Sequence, residues 1–295
     1  MITQQQFPKA PVDRFFLLIP ALIVLAVLVF AFAVYAVRCA IGKPPQMGEV
    51  KHNEIFGLFF ARFLVWLISP LERVLIGRVS ANAITATSLA LCAISGIAIA
   101  DGRLANGAWI FAVAGILDVL DGRLARHAQQ SSPAGALFDS VSDRWGELFV
   151  FGGASWFLHE SPWMLAALAG LGGSMMVSYT RARAEALGVR GAMGFMQRAE
   201  RIFLVTGGLF IAAWFELGDD DVAASVLGVS MLICGLTSSA TAISRFVVAY
   251  RVLTARKAEP LVVLPAPKPP VVPTAAPPGA PARAIRSVGG VSQIR

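Results

Sequence analysis

Charged residues are scarce in this sequence: they make up 15% of its 295 residues, whereas 56% are hydrophobic. A soluble domain carries roughly 25% charged residues, so this composition excludes an ordinary soluble globular protein. The short segments of alternating hydrophobicity that are typical of a transmembrane β-barrel are also missing. Several apolar stretches instead reach the roughly 20 residues that a membrane-spanning helix requires. The sequence therefore predicts an all-α, polytopic membrane protein.

Cysteine is scarce as well. Cys39, Cys92 and Cys234 are far apart and form no CxxC pair, which excludes a disulfide framework or a cysteine-based metal site. Nucleic-acid binding is not indicated by the net charge of +7, because the basic residues lie between apolar stretches rather than along one soluble face. That distribution is typical of membrane orientation signals and of contact with anionic lipid.

Seven membrane spans are predicted. The first is followed by Arg38, Lys43 and Lys51, which places its C-terminal end in the cytoplasm. The loops after it alternate between arginine-rich and mostly acidic ones, which gives an outside N-terminus and a cytoplasmic C-terminus in a multi-pass inner-membrane protein. The predicted spans are Phe15–Val37, Ala83–Ala100, Ala105–Leu117, Phe138–Leu158, Trp163–Tyr179, Ile202–Phe215 and Val222–Val248.

Two further segments complete the domain organisation. Between the first and second spans, Asn53–Arg78 combines apolar aromatic residues with Arg62 and Arg73, which predicts an amphipathic helix at the membrane interface; a soluble linker helix is the alternative. The end of the chain is rich in proline and alanine and is predicted to be disordered. The predicted divisions are residues 1–52 as a transmembrane anchor, 53–80 as the interfacial helix, 81–255 as a six-helix domain and 256–295 as a cytoplasmic tail.

Four aspartates stand out in the segment DVLDGRLARHAQQSSPAGALFDSVSDR. Asp118 and Asp121 are three residues apart, and Asp139 and Asp143 are four apart, so each pair shares one face of a helix. Two antiparallel helices joined by the intervening turn can direct all four carboxylates at one point. Four carboxylates so close together near a bilayer repel one another unless cations neutralise their charge. Divalent cations that prefer oxygen ligands, such as Mg²⁺ or Mn²⁺, are suited to this. Two such ions could hold a diphosphate during in-line displacement.

The alternative for this segment is a solvated acidic cluster paired with nearby arginines, namely Arg123, Arg126 and Arg144. A second basic cluster lies in SYTRARAEALGVRGAMGFMQRAER, and Arg245 lies within the last apolar helix on the same predicted side. Guanidinium groups bind phosphate oxygens in pairs. Arginines beside the aspartates therefore favour an acceptor that carries a phosphate, although those in the loop also fit simple cytoplasmic charge bias.

The aspartate segment resembles the motif of the CDP-alcohol phosphatidyltransferase family, DxxDGxxAR-x8-GxxxDxxxD, at every fixed position. The resemblance implies a six-helix membrane domain, often homodimeric, with an active site open to the cytoplasm. It also implies that Asp118, Asp121, Asp139 and Asp143 bind two metal ions and that Asp143 is the general base. Asn82 and Thr85 resemble the family's Pro-Asn-x-x-Thr helix start, with Ala81 in place of the proline. The residues that would border the CDP moiety are Asn82, Thr85, Gly122, Ala125, Arg126 and Gly135.

The stretch from Ser178 to Arg201 resembles the corresponding region of bacterial phosphatidylinositol phosphate synthases. The resemblance implies that Ser178, Arg181, Arg201 and Arg245 contact the phosphate of the acceptor. The expected reaction transfers a phosphatidyl group from CDP-diacylglycerol to a phosphorylated alcohol, with inositol phosphate favoured over glycerol 3-phosphate. Two alternatives remain open: a membrane prenyltransferase, which also binds a diphosphate through aspartates and Mg²⁺, and a cation-coupled transporter.

Overall fold

The computed structural model describes residues 11–42, 57–127, 132–189, 194–216 and 218–256. These residues form eight helices and no strand. The chain divides into one unit of Met1–Ala255 and a second of Arg256–Arg295, and the predicted disordered tail lies almost entirely outside the described residues. The helices are α1 (Pro11–Ala40), α2 (Gly57–Leu75), α3 (Ala81–Ala100), α4 (Leu104–His127), α5 (Pro133–Phe157), α6 (Met164–Ala186), α7 (Arg198–Phe215) and α8 (Asp220–Ala255).

The all-helical membrane architecture is confirmed. Within the described residues, four helices have the length and apolar composition needed to cross a membrane, in the segments Leu22–Ala40, Ala81–Ala100, Leu104–Arg126 and Asp220–Ala255. The spans placed on α5, α6 and α7 stay predictions. These three helices carry acidic and basic residues near their ends, and several of those residues belong to the candidate site.

Most helices extend beyond the predicted spans. The longest extension is in α4: the predicted span Ala105–Leu117 is short but can run on into the polar segment from Asp118, and the helix continues to His127. It continues because Leu120, Leu124 and Ala125 favour a helix and because packing buries Leu120 and Leu124 completely or nearly so, which outweighs the weak helix formers around them. This extension places Asp118 and Asp121 on a continuous helix.

Side-chain caps set the starts of the two helices that border the site. The Ser80 hydroxyl accepts a hydrogen bond from the Ala83 amide. This cap stabilises the start of α3, although the proline of the family pattern is absent there. Likewise, the Ser132 hydroxyl accepts a hydrogen bond from the Gly135 amide at 3.0 Å, with Pro133 in the first turn of α5. These two caps therefore determine the residues at which α3 and α5 begin.

Small residues allow the helices to pack closely, as is common between membrane helices. Where α3 crosses α5, a Cβ atom on Gly153 would collide with the carbonyl oxygen of Gly96. Where α6 packs on α8, a Cβ atom on Gly235 would lie 2.9 Å from the carbonyl carbon of Ala169. Side-chain hydrogen bonds add to this packing, since Ser95 donates to the carbonyl oxygen of Gly107 at 2.8 Å. The bundle is therefore tightly fixed around the helices that carry the acidic residues.

Candidate metal and substrate site

Three of the four predicted aspartates converge at the facing ends of α4 and α5. Carboxylate oxygens from Asp118, Asp121 and Asp139 lie within 4.8 Å of one another. Asp121 is 3% exposed, so its charge requires a nearby partner. An all-oxygen group of this size fits a divalent cation such as Mg²⁺ or Mn²⁺.

Asp143 joins this group through an arginine from α7. The Nη1 atom of Arg198 lies 2.6 Å from the Oδ1 atom of Asp143 and also contacts the carboxylate of Asp118. On its other oxygen, Asp143 accepts a hydrogen bond of 3.2 Å from Arg144. All four predicted aspartates therefore belong to one charged cluster that spans α4, α5 and the start of α7.

Arg198 was recognised in the sequence only as part of a basic loop. A spacing in the sequence does indicate that Arg198 belongs to the cluster. Arg198 and Arg201 are three residues apart and therefore share a face of α7. The facing surface of α5 carries Asp143 and Glu147, four residues apart. Two acids on one helix therefore meet two arginines on the other.

Replacing Arg198 with glutamine should increase the affinity of the aspartate cluster for Mn²⁺. The substitution removes a positive charge that already neutralises Asp118 and Asp143, so the cation meets less competition. We expect about a tenfold gain, which is well within the ~4 kcal/mol that two unit charges about 4 Å apart contribute at an effective dielectric constant of ~20. Titration of free Mn²⁺ by electron paramagnetic resonance measures the affinity. The exposed Arg183→Gln is the control, and an unchanged or weaker affinity in Arg198→Gln would contradict the expectation.

The residues predicted to border CDP surround the same helix ends. The Thr85 hydroxyl lies 2.7 Å from the Oδ2 atom of Asp121, so the structure shows Thr85 orienting a candidate metal ligand. Asn82 reaches toward α5, because a Cβ atom on Gly135 would lie 3.3 Å from its Oδ1 atom. On α4, Gly122 and Ala125 are partly buried and Arg126 is exposed. A role for these six residues in nucleotide binding stays a prediction.

The residues predicted to contact the acceptor phosphate have different surroundings. Arg201 is 4% exposed, and its Nη2 atom donates to the Oε1 atom of Glu147 at 2.6 Å. Arg245 is also buried and donates to the carbonyl oxygen of Val177 at 3.0 Å. Arg181 is exposed and pairs with Glu185, and Ser178 is half-buried. These four residues line neighbouring helices, and their phosphate-binding role stays a prediction.

Glu147 is a second residue that the sequence interpretation missed. It is 5% exposed, and its two oxygens accept hydrogen bonds of 2.6 Å from Arg201 and from Ser174. Its spacing of four residues from Asp143 was the available signal, because it places both carboxylates on one helix face. The site therefore extends inward from the aspartates as a buried ion pair.

Chemically, the arrangement combines hard oxygen ligands with a set of guanidinium groups. Acidic residues on α4 and α5 can hold a divalent cation, while Arg198 and Arg201 of α7 form ion pairs with them. Such a site suits a substrate with a diphosphate and a second substrate with a phosphate.

Comparison with known proteins agrees with this chemistry. The profile of the CDP-alcohol phosphatidyltransferase family matches residues 78–237, which is more than half of the chain. Archaetidylinositol phosphate synthase from Methanothermobacter thermautotrophicus is 36% identical over 139 residues, which cover 46% of this chain and 70% of that protein. Phosphatidylinositol phosphate synthase from Mycobacterium bovis is 38% identical over 114 residues, or 36% of this chain and 51% of that protein.

Solved structures give the same assignment. The crystal structure of Mycobacterium tuberculosis phosphatidylinositol phosphate synthase with CDP-diacylglycerol bound superimposes with a TM-score of 0.56 at 27% identity. The match covers 63% of this chain and 94% of that one. A second structure of that enzyme, in complex with manganese and citrate, matches with a TM-score of 0.55 and covers 61% of this chain and 88% of that one. The chain is therefore a membrane enzyme that belongs to the CDP-alcohol phosphatidyltransferase family.

Proposed function

We propose that this enzyme transfers the phosphatidyl group of CDP-diacylglycerol to a phosphorylated alcohol and releases CMP, with inositol phosphate preferred over glycerol 3-phosphate. The observation that carries the proposal is the convergence of Asp118, Asp121 and Asp139 beside Arg198 of α7, which contacts Asp118. The relatives named as inositol phosphate synthases support the choice of acceptor. The enzyme is a homodimer in the cytoplasmic membrane, and its site faces the cytoplasm.

The four aspartates are the proposed metal ligands. Asp118, Asp121, Asp139 and Asp143 would bind two ions of Mg²⁺ or Mn²⁺, which neutralise charge on the diphosphate when bound. Asp143 would also receive the proton of the acceptor hydroxyl. The acceptor oxygen then forms its bond to the β-phosphorus as the bond from that phosphorus to the bridging oxygen breaks, and CMP leaves with the bonding electrons.

The remaining predicted residues orient the two substrates. The small side chains of Gly122, Ala125 and Gly135 let the nucleotide approach the helix backbone closely. Ser178, Arg181, Arg201 and Arg245 would bind the acceptor phosphate, and the paired N–H groups of arginine suit its oxygens. Serine, inositol and other acceptors without a phosphate gain nothing from these charges.

Purified protein should release CMP from radiolabelled CDP-diacylglycerol most rapidly with inositol 1-phosphate, more slowly with glycerol 3-phosphate, and hardly at all with inositol or serine. Removal of divalent ions by a chelator should abolish the reaction, and added Mg²⁺ or Mn²⁺ should restore it, because the aspartates repel the diphosphate when uncompensated. Thin-layer chromatography of the lipid product and quantification of CMP measure both effects. Equal use of serine or inositol, or activity that survives chelation, would contradict the proposal.

A further inference from the structure

The last turns of α4 pack against α2. The family profile matches residues 78–237, so α2 lies outside the matched region. Arg123 follows the candidate metal ligand Asp121 by two residues and occupies a variable position of the family motif. Its Nε atom donates to the Oε2 atom of Glu72 on α2 at 2.9 Å. The two side chains are 11% and 5% exposed, so the ion pair is largely shielded from water, and removing one charge leaves the other buried.

Apolar packing fixes the same contact. Leu75, at the end of α2, packs against a cluster formed by Ile84 on α3 and by Leu120 and Leu124 on α4. Leu120 precedes Asp121 directly in the sequence. The end of α2 therefore contacts α4 through a buried ion pair and through apolar side chains on both sides of the metal-binding turn.

The other half of α2 is anchored to α1. Phe63 is 4% exposed, and its ring centroid lies 5.1 Å from that of Phe32 and 5.6 Å from that of Tyr35. The aromatic contacts give α2 a fixed support at a distance from the aspartates. At the other end of α2, the ion pair of Glu72 with Arg123 and the packing of Leu75 join it to α4.

We propose that Glu72 is a positioning residue for the metal site and acts through Arg123. By holding the Arg123 guanidinium, Glu72 fixes the rotation of the last turns of α4, and this rotation sets where Asp118 and Asp121 stand relative to Asp139. A segment outside the family match is thereby part of the machinery that shapes the site. The inference rests on the proposed metal-dependent function.

The test compares two substitutions in α2 of the full-length protein. Glu72→Gln keeps the shape of the side chain and removes its charge, whereas Phe63→Leu loosens α2 on α1 and leaves the contact with α4 unchanged. We expect Glu72→Gln to weaken Mn²⁺ binding about tenfold or more, as loss of groups that orient metal ligands typically does. Phe63→Leu should lower the thermal unfolding midpoint and retain Mn²⁺ affinity. Electron paramagnetic resonance of free Mn²⁺, without substrate, reports the affinity.

Further variants separate the outcomes. Glu160→Gln changes an exposed glutamate and should bind Mn²⁺ like the unsubstituted protein. If Glu72→Gln does not fold, Glu72→Asp carries the test: it keeps the charge with a shorter reach, and its affinity should fall by a smaller factor. The inference is overturned if the Glu72 variant that folds binds Mn²⁺ normally. It is also overturned if Phe63→Leu loses as much Mn²⁺ affinity, relative to its loss of thermal stability, as the Glu72 variant does. Failure of the unsubstituted protein to bind Mn²⁺ would instead overturn the proposed metal site.

Discussion

Asp143→Asn should abolish turnover and leave the protein folded. Asparagine matches the size of aspartate but cannot take up the proton of the acceptor hydroxyl, and it removes one anionic metal ligand. Loss of a general base alone typically lowers the rate about 10²–10⁴-fold. The position of Asp143 supports the expectation, since its carboxylate lies at the junction of the aspartate cluster with Arg198 and Arg144. The rate of CMP release at saturating substrates measures the effect.

Asp101→Asn is a matched control for Asp143→Asn. Asp101 is exposed, forms an ion pair of 3.0 Å with Arg103, and lies at the opposite end of α3 from the site. Its substitution should leave both turnover and thermal stability almost unchanged. Full turnover in folded Asp143→Asn protein would refute the assignment of the general base.

Arg201→Ala should lower the free energy of unfolding by about 3–5 kcal/mol, because it leaves the buried carboxylate of Glu147 without its cation. Both side chains are about 5% exposed or less, so water cannot replace the lost partner. The double variant Arg201→Ala/Glu147→Ala should recover part of the loss, since it removes both charges. Unfolding in mixed micelles at increasing denaturing detergent measures the free energy.

The same variant tests the acceptor site. If Arg201 binds the acceptor phosphate, the KM for inositol phosphate should rise in Arg201→Ala while the KM for CDP-diacylglycerol stays nearly constant. Arg183→Ala is the comparison, because Arg183 is exposed and has no proposed contact with the acceptor. An Arg201→Ala variant with normal stability and normal KM values would contradict both roles.

The helices were largely predictable because composition and hydrophobic periodicity act locally. Apolar runs define the bundle, and the serines before α3 and α5 supply caps within three residues of the amides they serve. The spacings between Asp118 and Asp121 and between Asp139 and Asp143 likewise fix which carboxylates share a helix face. The convergence of three of these carboxylates depends on how the C-terminal part of α4 and the first turns of α5 come together.

The ion pairs around the site could not be predicted in the same way. Glu72 meets Arg123 across 51 residues, and Glu147 meets Arg201 across 54. The residue type alone does not distinguish Arg201, which is buried, from Arg181, which is exposed on α6. Helix packing alone decides which arginine loses its water and therefore needs a carboxylate.

By itself, the sequence determined a helical membrane protein with an aspartate pair on each of two consecutive helices, because helix formation and face sharing depend on residues a few positions apart. Only the tertiary structure decided that Arg198 joins Asp118 to Asp143, that Arg201 is paired with Glu147, and that α2 supports the turn carrying Asp121. These contacts join residues from different helices. They arise because close packing excludes water and forces each buried charge to find a partner in space.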